Sequence, residues 1–321
     1  MRKLLVLLVA LVTVAAFAAV SISGSAEAKL EVTFIATPTT TATPTITSGG
    51  SVRLVLSGNV GQKTGFEVSF VGFGGTGTTA YVWENLYKTD ALSIKYRLGT
   101  LSRGTTLVEK PAVGAPLTAG AAFALDFDIA LGDLKDNLSV FVYFPITATP
   151  PATQLVDLDV WNKLNFTFVT LTAFASGVLS AGQSNQFPLL GLDATIDLAK
   201  ALNIQGAKLS GYTYLGINPN ATGLNMLTGY KFGVDFGIDK LSGGVWFGGP
   251  NPNKIGASVR TTVLAPVTIG GSVELPVNLS GFSDVELEAF ATWPSELLTH
   301  RISLKFKQPE ATVAWRVSVK F

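Results

Sequence analysis

The chain contains no cysteine and a single histidine, His300. Without cysteine there is no disulfide framework, no thiol nucleophile and no thiolate metal site. One histidine removes most zinc sites and the usual base of a nucleophilic triad. Together these gaps argue against an enzyme, a metal centre or a cofactor. Charge is sparse as well: 14% of residues are Asp, Glu, Lys or Arg, against about a quarter in ordinary globular domains. Long apolar runs are missing beyond Val20, where none approaches the ~20 residues of a membrane helix. Yet mean hydropathy is +0.40. A chain this apolar without spanning helices has one other route into a bilayer, a closed set of strands.

The N-terminus reads as a leader. Arg2 and Lys3 precede an almost unbroken apolar run from Leu4 to Val20, followed by small residues from Ser21 to Ala28. Ala26-Glu27-Ala28 fits the A-x-A cleavage pattern of a secretory signal. The alternative, an uncleaved anchor, lacks the length of a full span. Residues 1–28 are therefore expected to be removed, leaving 29–321 as one domain. Without Arg2, Lys3 and Glu27 the charges balance at 21 basic and 21 acidic. That leaves no electrostatic footprint for nucleic acid.

What the chain has in abundance is alternation. Val313, Trp315, Val317, Val319 and Phe321 share one face of a strand, while Ala314, Arg316, Ser318 and Lys320 share the other. Leu298, Ile302, Leu304 and Phe306 likewise oppose Arg301, Ser303 and Lys305. The same period of two recurs around Leu287, Phe232, Leu192, Phe123 and Ile94. It predicts about 18 strands, with 16 as the alternative, many near the ~9–11 residues that cross a bilayer at a tilt. Long connections at 36–50, 99–119 and 177–187 alternate with short ones at 58–63, 162–163, 238–239, 265–266 and 294–297. Long loops on one side and tight turns on the other are the pattern of a closed antiparallel transmembrane β-barrel. A soluble β-sandwich would also alternate, with its apolar face packed inward.

Leader, alternating strands, uneven loops and the terminal Val313–Phe321 strand together resemble bacterial outer-membrane β-barrels, and among them the general porins. The resemblance covers the whole expected mature chain and rests on architecture, with no motif matched residue by residue. No peptidoglycan-binding domain, S-layer-homology repeat or N-terminal plug is visible. It implies an outer-membrane location, contact with membrane lipid and a homotrimer. It also makes the last strand (Val313, Trp315, Val317, Val319, Phe321) a signal for the barrel-assembly machinery. In porins a long loop commonly folds inward, which would make 99–119, with Arg103, Glu109 and Lys110, a constriction.

Several motifs have simpler readings. Gly72–Gly77 looks like a phosphate cradle but lacks the Lys-Ser/Thr and helix of a P-loop, so a hairpin tip is expected. Gly243-Gly244 and Gly270-Gly271 suggest bulges or strand curvature. The Thr/Pro segments 37–44 and 147–153 read as exposed loops. Glu286/Glu288 and Asp126/Asp128, spaced by two, share a strand face rather than forming an acid–base pair.

The faces opposite the apolar stripes supply the candidate lining of a wet interior. The basic positions are Arg53, Lys95, Arg97, Lys231, Arg260, Arg301, Lys305, Arg316 and Lys320, with Lys208, Lys254 and Lys307 beside them. The acidic positions are Asp126, Asp128, Asp193, Asp197, Asp235, Glu274, Glu286 and Glu288, with Glu31, Glu67, Asp157, Asp159 and Asp239 beside them. Their near-balance argues against strong overall ion selectivity, although the last two strands are basic. Glu286 and Glu288 lie one strand away and can pair with Arg301 or Lys305. The expected function is passive diffusion of small hydrophilic solutes or ions. The alternative is a structural envelope barrel, tied to a sheath or surface layer and without an open channel.

Overall fold

The computed structural model describes residues 19–35, 44–60, 62–72, 77–101, 120–144, 154–180, 186–219, 221–249, 253–278, 281–282, 284–307 and 310–320. They form β1 (Ala19–Ile35), β2 (Thr45–Val60), β3 (Thr64–Gly72), β4 (Gly77–Lys88), β5 (Leu92–Leu101), β6 (Gly120–Leu131) and β7 (Leu134–Tyr143). Next come β8 (Gln154–Phe166), β9 (Val169–Ser180), β10 (Gln186–Asp197), a one-turn helix α1 (Leu198–Ala201), β11 (Ala207–Ile217) and β12 (Leu227–Ile238). The chain continues through β13 (Leu241–Gly249), β14 (Asn253–Thr261), β15 (Thr268–Asn278), β16 (Gly281–Phe282), β17 (Glu286–Ser295), β18 (Leu298–Lys307) and β19 (Glu310–Lys320).

Apart from the short β16, each strand pairs antiparallel with the next, and β1 pairs with both β2 and β19, so the sheet closes on itself. β16 is a two-residue stub, and β15 pairs directly with β17. Eighteen strands therefore make the wall. Closure leaves no edge with unpaired backbone groups, which is the condition for strands to sit in lipid. Among the described residues no helix is long and apolar enough to cross a membrane; the crossing elements are strands.

A single-layer ring has two faces, and burial tells them apart. Only the concave side can be crowded by its own neighbours. The buried polar residues Ser69, Asp126, Ser139, Asp159, Thr172, Ser176 and Asp193 all fall on one face by register, so that face is the interior. The other carries the exposed large apolars, among them Leu304, Ile302, Val313 and Trp315. Apolar outside and polar inside reverses a soluble sandwich and removes that reading.

The turns explain the spacing. Two-residue connections at 132–133, 167–168, 239–240 and 296–297 lie at one end of the barrel. Their first residues, Gly132, Thr167, Asp239 and Glu296, have φ of 61°, 46°, 49° and 48°. That left-handed backbone lets a two-residue loop match the twist of its strands. β5 ends and β6 begins at the opposite end, where Leu101 pairs with Gly120.

Three sequence expectations need correction. Residues 162–163 are strand, not turn: Asn162 pairs with Leu138 in β7 and Ala173 in β9, and the chain reverses at 167–168. The Gly pairs at 243–244 and 270–271 carry no bulge and keep regular register. Irregular register falls at Asn85/Tyr87, Gln154/Val156, Gln186/Leu189 and Gly216/Ile217 instead. Thirdly, the first strand, expected from sequence near residues 29–35, begins at Ala19: Ala19–Ala28 pair with Asn59–Gly50, and Ser25–Ala28 with Lys320–Val317.

The register of β19 gives a test of phase. Arg316 pairs with Lys29 and Val317 with Ala28, so the two side chains face opposite ways. Val317→Asp is expected to cost about 2 kcal/mol or less of barrel stability, because acids on the lipid face cost less than the ~2–4 for Arg or Lys. Arg316→Ala is expected to assemble normally. Equal amounts of heat-resistant barrel from the two variants would contradict this phase.

Candidate functional site

Cross-strand partners in an antiparallel sheet point to the same face, so the interior can be followed from strand to strand. Lys95 on β5 opposes Asp126 on β6, which opposes Ser139 on β7. Phe141 opposes Asp159, and Asp159 opposes Ser176. Thr172 leads to Asp193, then to Tyr214 and Lys231. Asp235 opposes Gly244, Gly256 opposes Glu274, and Glu274 opposes Glu286. Glu288 meets Lys305, Arg301 meets Arg316, and Lys320 meets Ser25, which meets Arg53. Arg97, Asp128 and Asp197 take the same face two or four residues along their strands, and so does Arg260 beside Ser242. The wall positions picked from sequence thus share one face, except Asp239, which lies in the turn between β12 and β13. Arg103, Glu109, Lys110 and Phe321 lie outside the described residues. Val313, Trp315, Val317 and Val319 take the outward face.

The inward charges are organised into two walls. The tightest knot is on β5–β7: Arg97 donates from Nε and Nη2 to Asp126 at 2.7 and 2.6 Å. Ser139 Oγ lies 2.7 Å from the same carboxylate, and Lys95 Nζ is 3.8 Å away. The guanidinium lies 5.0 Å from the Phe141 ring centre and 5.9 Å from that of Tyr81. This is a bidentate, cation–π-backed pair.

The second wall runs over β14–β19. Lys254 pairs with Glu274 at 2.9 Å, Arg301 with Glu288 at 2.7 Å, and Lys305 with Glu286 at 2.5 Å. Lys29 also pairs with Glu31 on β1. A recess of about 370 Å³ opens here, lined by Lys29, Glu31, Glu288, Lys305, Lys307 and Arg316 among others. A larger hollow of about 690 Å³ is apolar, walled by Ile196, Phe232 and Val234 over Gly211. Those side chains face outward, so this hollow is a dent in the lipid-facing surface and no part of the interior.

Asp197 departs from a lining role. Its carboxylate accepts from the Lys200 backbone N–H at 2.9 Å and caps α1. It anchors the β10–β11 connection at the tight-turn end.

Sequence reasoning missed the inward aromatics. Register puts Tyr81, Trp83, Phe141, Tyr143, Trp161, Phe174, Tyr212, Tyr214, Trp246 and Phe290 on the polar face. Several lie flat across a glycine of a neighbouring strand. A Cβ on Gly65 would overlap Trp83, on Gly233 Tyr212, on Gly256 Trp246, and on Gly270 Phe290. Glycine is needed at these positions because the ring occupies the place of its side chain. Lys231 Nζ then sits 4.5 Å from the Trp246 ring centre, and Arg301 3.9 Å from that of Phe290. The rings lie along the wall instead of crossing the interior.

The interior is accessible. Arg53, Ser258 and Arg316 face inward from the middle of their strands and are exposed. The side chains of Lys305 and Lys307 are 48% and 57% exposed while facing the same way. A filled interior would have buried them.

No model of a known protein family matches the sequence, and no curated protein matches it. Solved structures do match. OpdQ of Pseudomonas aeruginosa aligns over 94% of this chain and 98% of its own, with a TM-score of 0.58 and 8% identity. The outer membrane protein OpdK of the same organism covers 94% and 98%, with a TM-score of 0.53 and 9% identity. A mutant of the Rh. blastica porin covers 94% and 100%, with a TM-score of 0.51 and 9% identity. The chain has the fold of a porin-type outer-membrane barrel. At 8–9% identity no residue of this chain is equated with one of theirs.

Proposed function

We propose that this barrel is a passive channel of the bacterial outer membrane, admitting small hydrophilic solutes or ions. One observation carries the reading: charged side chains face inward from the middle of the wall and remain solvent-exposed. A structural barrel with a closed interior has no use for charges held in that position, which are costly to bury. The apolar outer face supports a lipid environment, and the porin fold of the matched structures supports the outer membrane. No step of catalysis is assigned to any residue. Trimer formation and hand-over of β19 to the barrel-assembly machinery belong to the same proposal, as does the constriction role of Arg103, Glu109 and Lys110.

The two walls give the channel a direction across its width. Inward Asp126, Asp128, Asp159 and Asp193 line β6–β10, while Arg301, Lys305, Arg316 and Lys320 line β18–β19 on the other side of the ring. A dipolar solute would be turned by such a field as it passes. Proteoliposome swelling tests the passage itself. Vesicles carrying the protein should swell in isosmotic small sugars, more slowly as the sugar grows, and vesicles that do not swell would reject the channel.

Selectivity should follow the paired wall. Glu286→Gln with Glu288→Gln leaves Lys305, Lys307 and Arg301 without their carboxylates. The interior loses two negative charges, so the reversal potential in a salt gradient should move toward anions. An unchanged reversal potential would place these residues away from the ion path.

A further inference from the structure

We infer that the secretory leader is cut after Ala18, so that Ala19–Ala28 remain in the mature protein as the first half of β1. The inference rests on the barrel fold and not on the channel reading. A chain that proved non-conducting would leave it standing.

The pairing carries the argument. Gly50–Asn59 of β2 have Ala28–Ala19 as their partners on one side, and Val317–Lys320 of β19 have Ala28–Ser25. Val52–Asn59 are also the residues that pair with β3 on the other side, so they belong to the body of the wall. Cutting after Ala28 would strip their backbone groups of partners along the seam that closes the ring. In a bilayer those groups have no water to turn to.

The side chains agree with a strand. Ser21, Ser23, Ser25 and Glu27 oppose the inward Ser57, Val55, Arg53 and Ser51 of β2. Val20, Ile22, Ala26 and Ala28 alternate with them, and Ile22 is 65% exposed on the outer face. The alternation continues without a break into Lys29, Leu30, Glu31, Val32, Thr33 and Phe34. A leader discarded at Ala28 has no need for a phase shared with the strand that follows it.

A second cleavage pattern lies at the start of β1. Ala16-Phe17-Ala18 has small residues at both required places. Cutting there leaves Leu4–Ala15, 12 residues, as the apolar core, within the usual 7–15. The reaction is hydrolysis of the Ala18–Ala19 peptide bond by the leader peptidase. Water supplies the oxygen of the new Ala18 carboxylate, and Ala19 leaves with the amine.

The intact mass and N-terminal sequence of the protein isolated from outer membranes decide the matter. The expected N-terminus is Ala19; Lys29 would overturn the inference. Ala18→Leu should leave the precursor uncut, whereas Ala28→Leu, on the outer face, should be processed as in the parent. The reverse pattern would overturn it equally. A third form joins a foreign leader directly to Lys29. It should be exported yet fail to yield heat-resistant barrel, and a stable barrel from it would also overturn the inference.

Discussion

Arg97→Ala is expected to lower the unfolding free energy of the barrel by about 3 kcal/mol, the lower end of the ~3–5 lost when one partner of a buried ion pair is removed. Asp126 is 6% exposed and takes both guanidinium contacts. Without Arg97 its carboxylate stays in a crowded corner of the interior. Lys95 and Ser139 still reach it, which is why the lower figure applies. Arg97 also covers the Phe141 and Tyr81 rings, so part of the loss is packing. Denaturant unfolding in micelles, followed by tryptophan fluorescence, measures the change. The double variant Arg97→Ala, Asp126→Ala should recover much of it, since no unpaired charge remains. A double variant as unstable as the single one would show that the charge of Asp126 is not the cause.

Gly256→Val should reduce single-channel conductance roughly twofold, by moving a ring of about 200 Å² of surface into the water path. Gly256 and Trp246 are direct partners across β13 and β14, and the indole lies where a Cβ would stand. A valine there must push the ring off the wall, and the only free direction is inward. Lys231, held 4.5 Å from the ring centre, would lose its platform at the same time. Trp246→Ala added to Gly256→Val removes the displaced ring. The double variant should conduct at least as well as the parent. Persisting low conductance would mean that the valine distorts the strands themselves.

Most of the architecture was legible because lipid and water lie on opposite faces of one sheet. β18 and β19 show this plainly: Ile302, Leu304, Val313 and Trp315 face lipid, while Arg301, Lys305 and Arg316 face inward. The pairing of Glu286 and Glu288 with Lys305 and Arg301 was foreseeable from charge and strand neighbourhood alone. The rule fails where polar groups face outward in pairs. Asn162 donates to Asp136 at 2.6 Å on the lipid side, so Asn162-Lys163 resembled a turn while being strand.

The inward aromatics were hidden for a different reason. Period two assigns a ring to the lipid side unless something inside can receive it. The receiving glycine is on another strand: Gly65 for Trp83, Gly256 for Trp246, Gly270 for Phe290. Such a match becomes visible only once the register is known. At the N-terminus one stretch meets two requirements, since the small residues of Ser21–Ala28 suit a peptidase site and a β-strand alike. Only pairing with β2 and β19 separates the two.

The central claim is an accessible interior lined by charge, and conductance tests it most directly. The protein, extracted in detergent and added to a planar bilayer, should give stable ohmic steps whose size scales with salt concentration. A bilayer that stays silent with correctly folded, heat-resistant barrel in the chamber would contradict an open interior and leave the structural reading in its place.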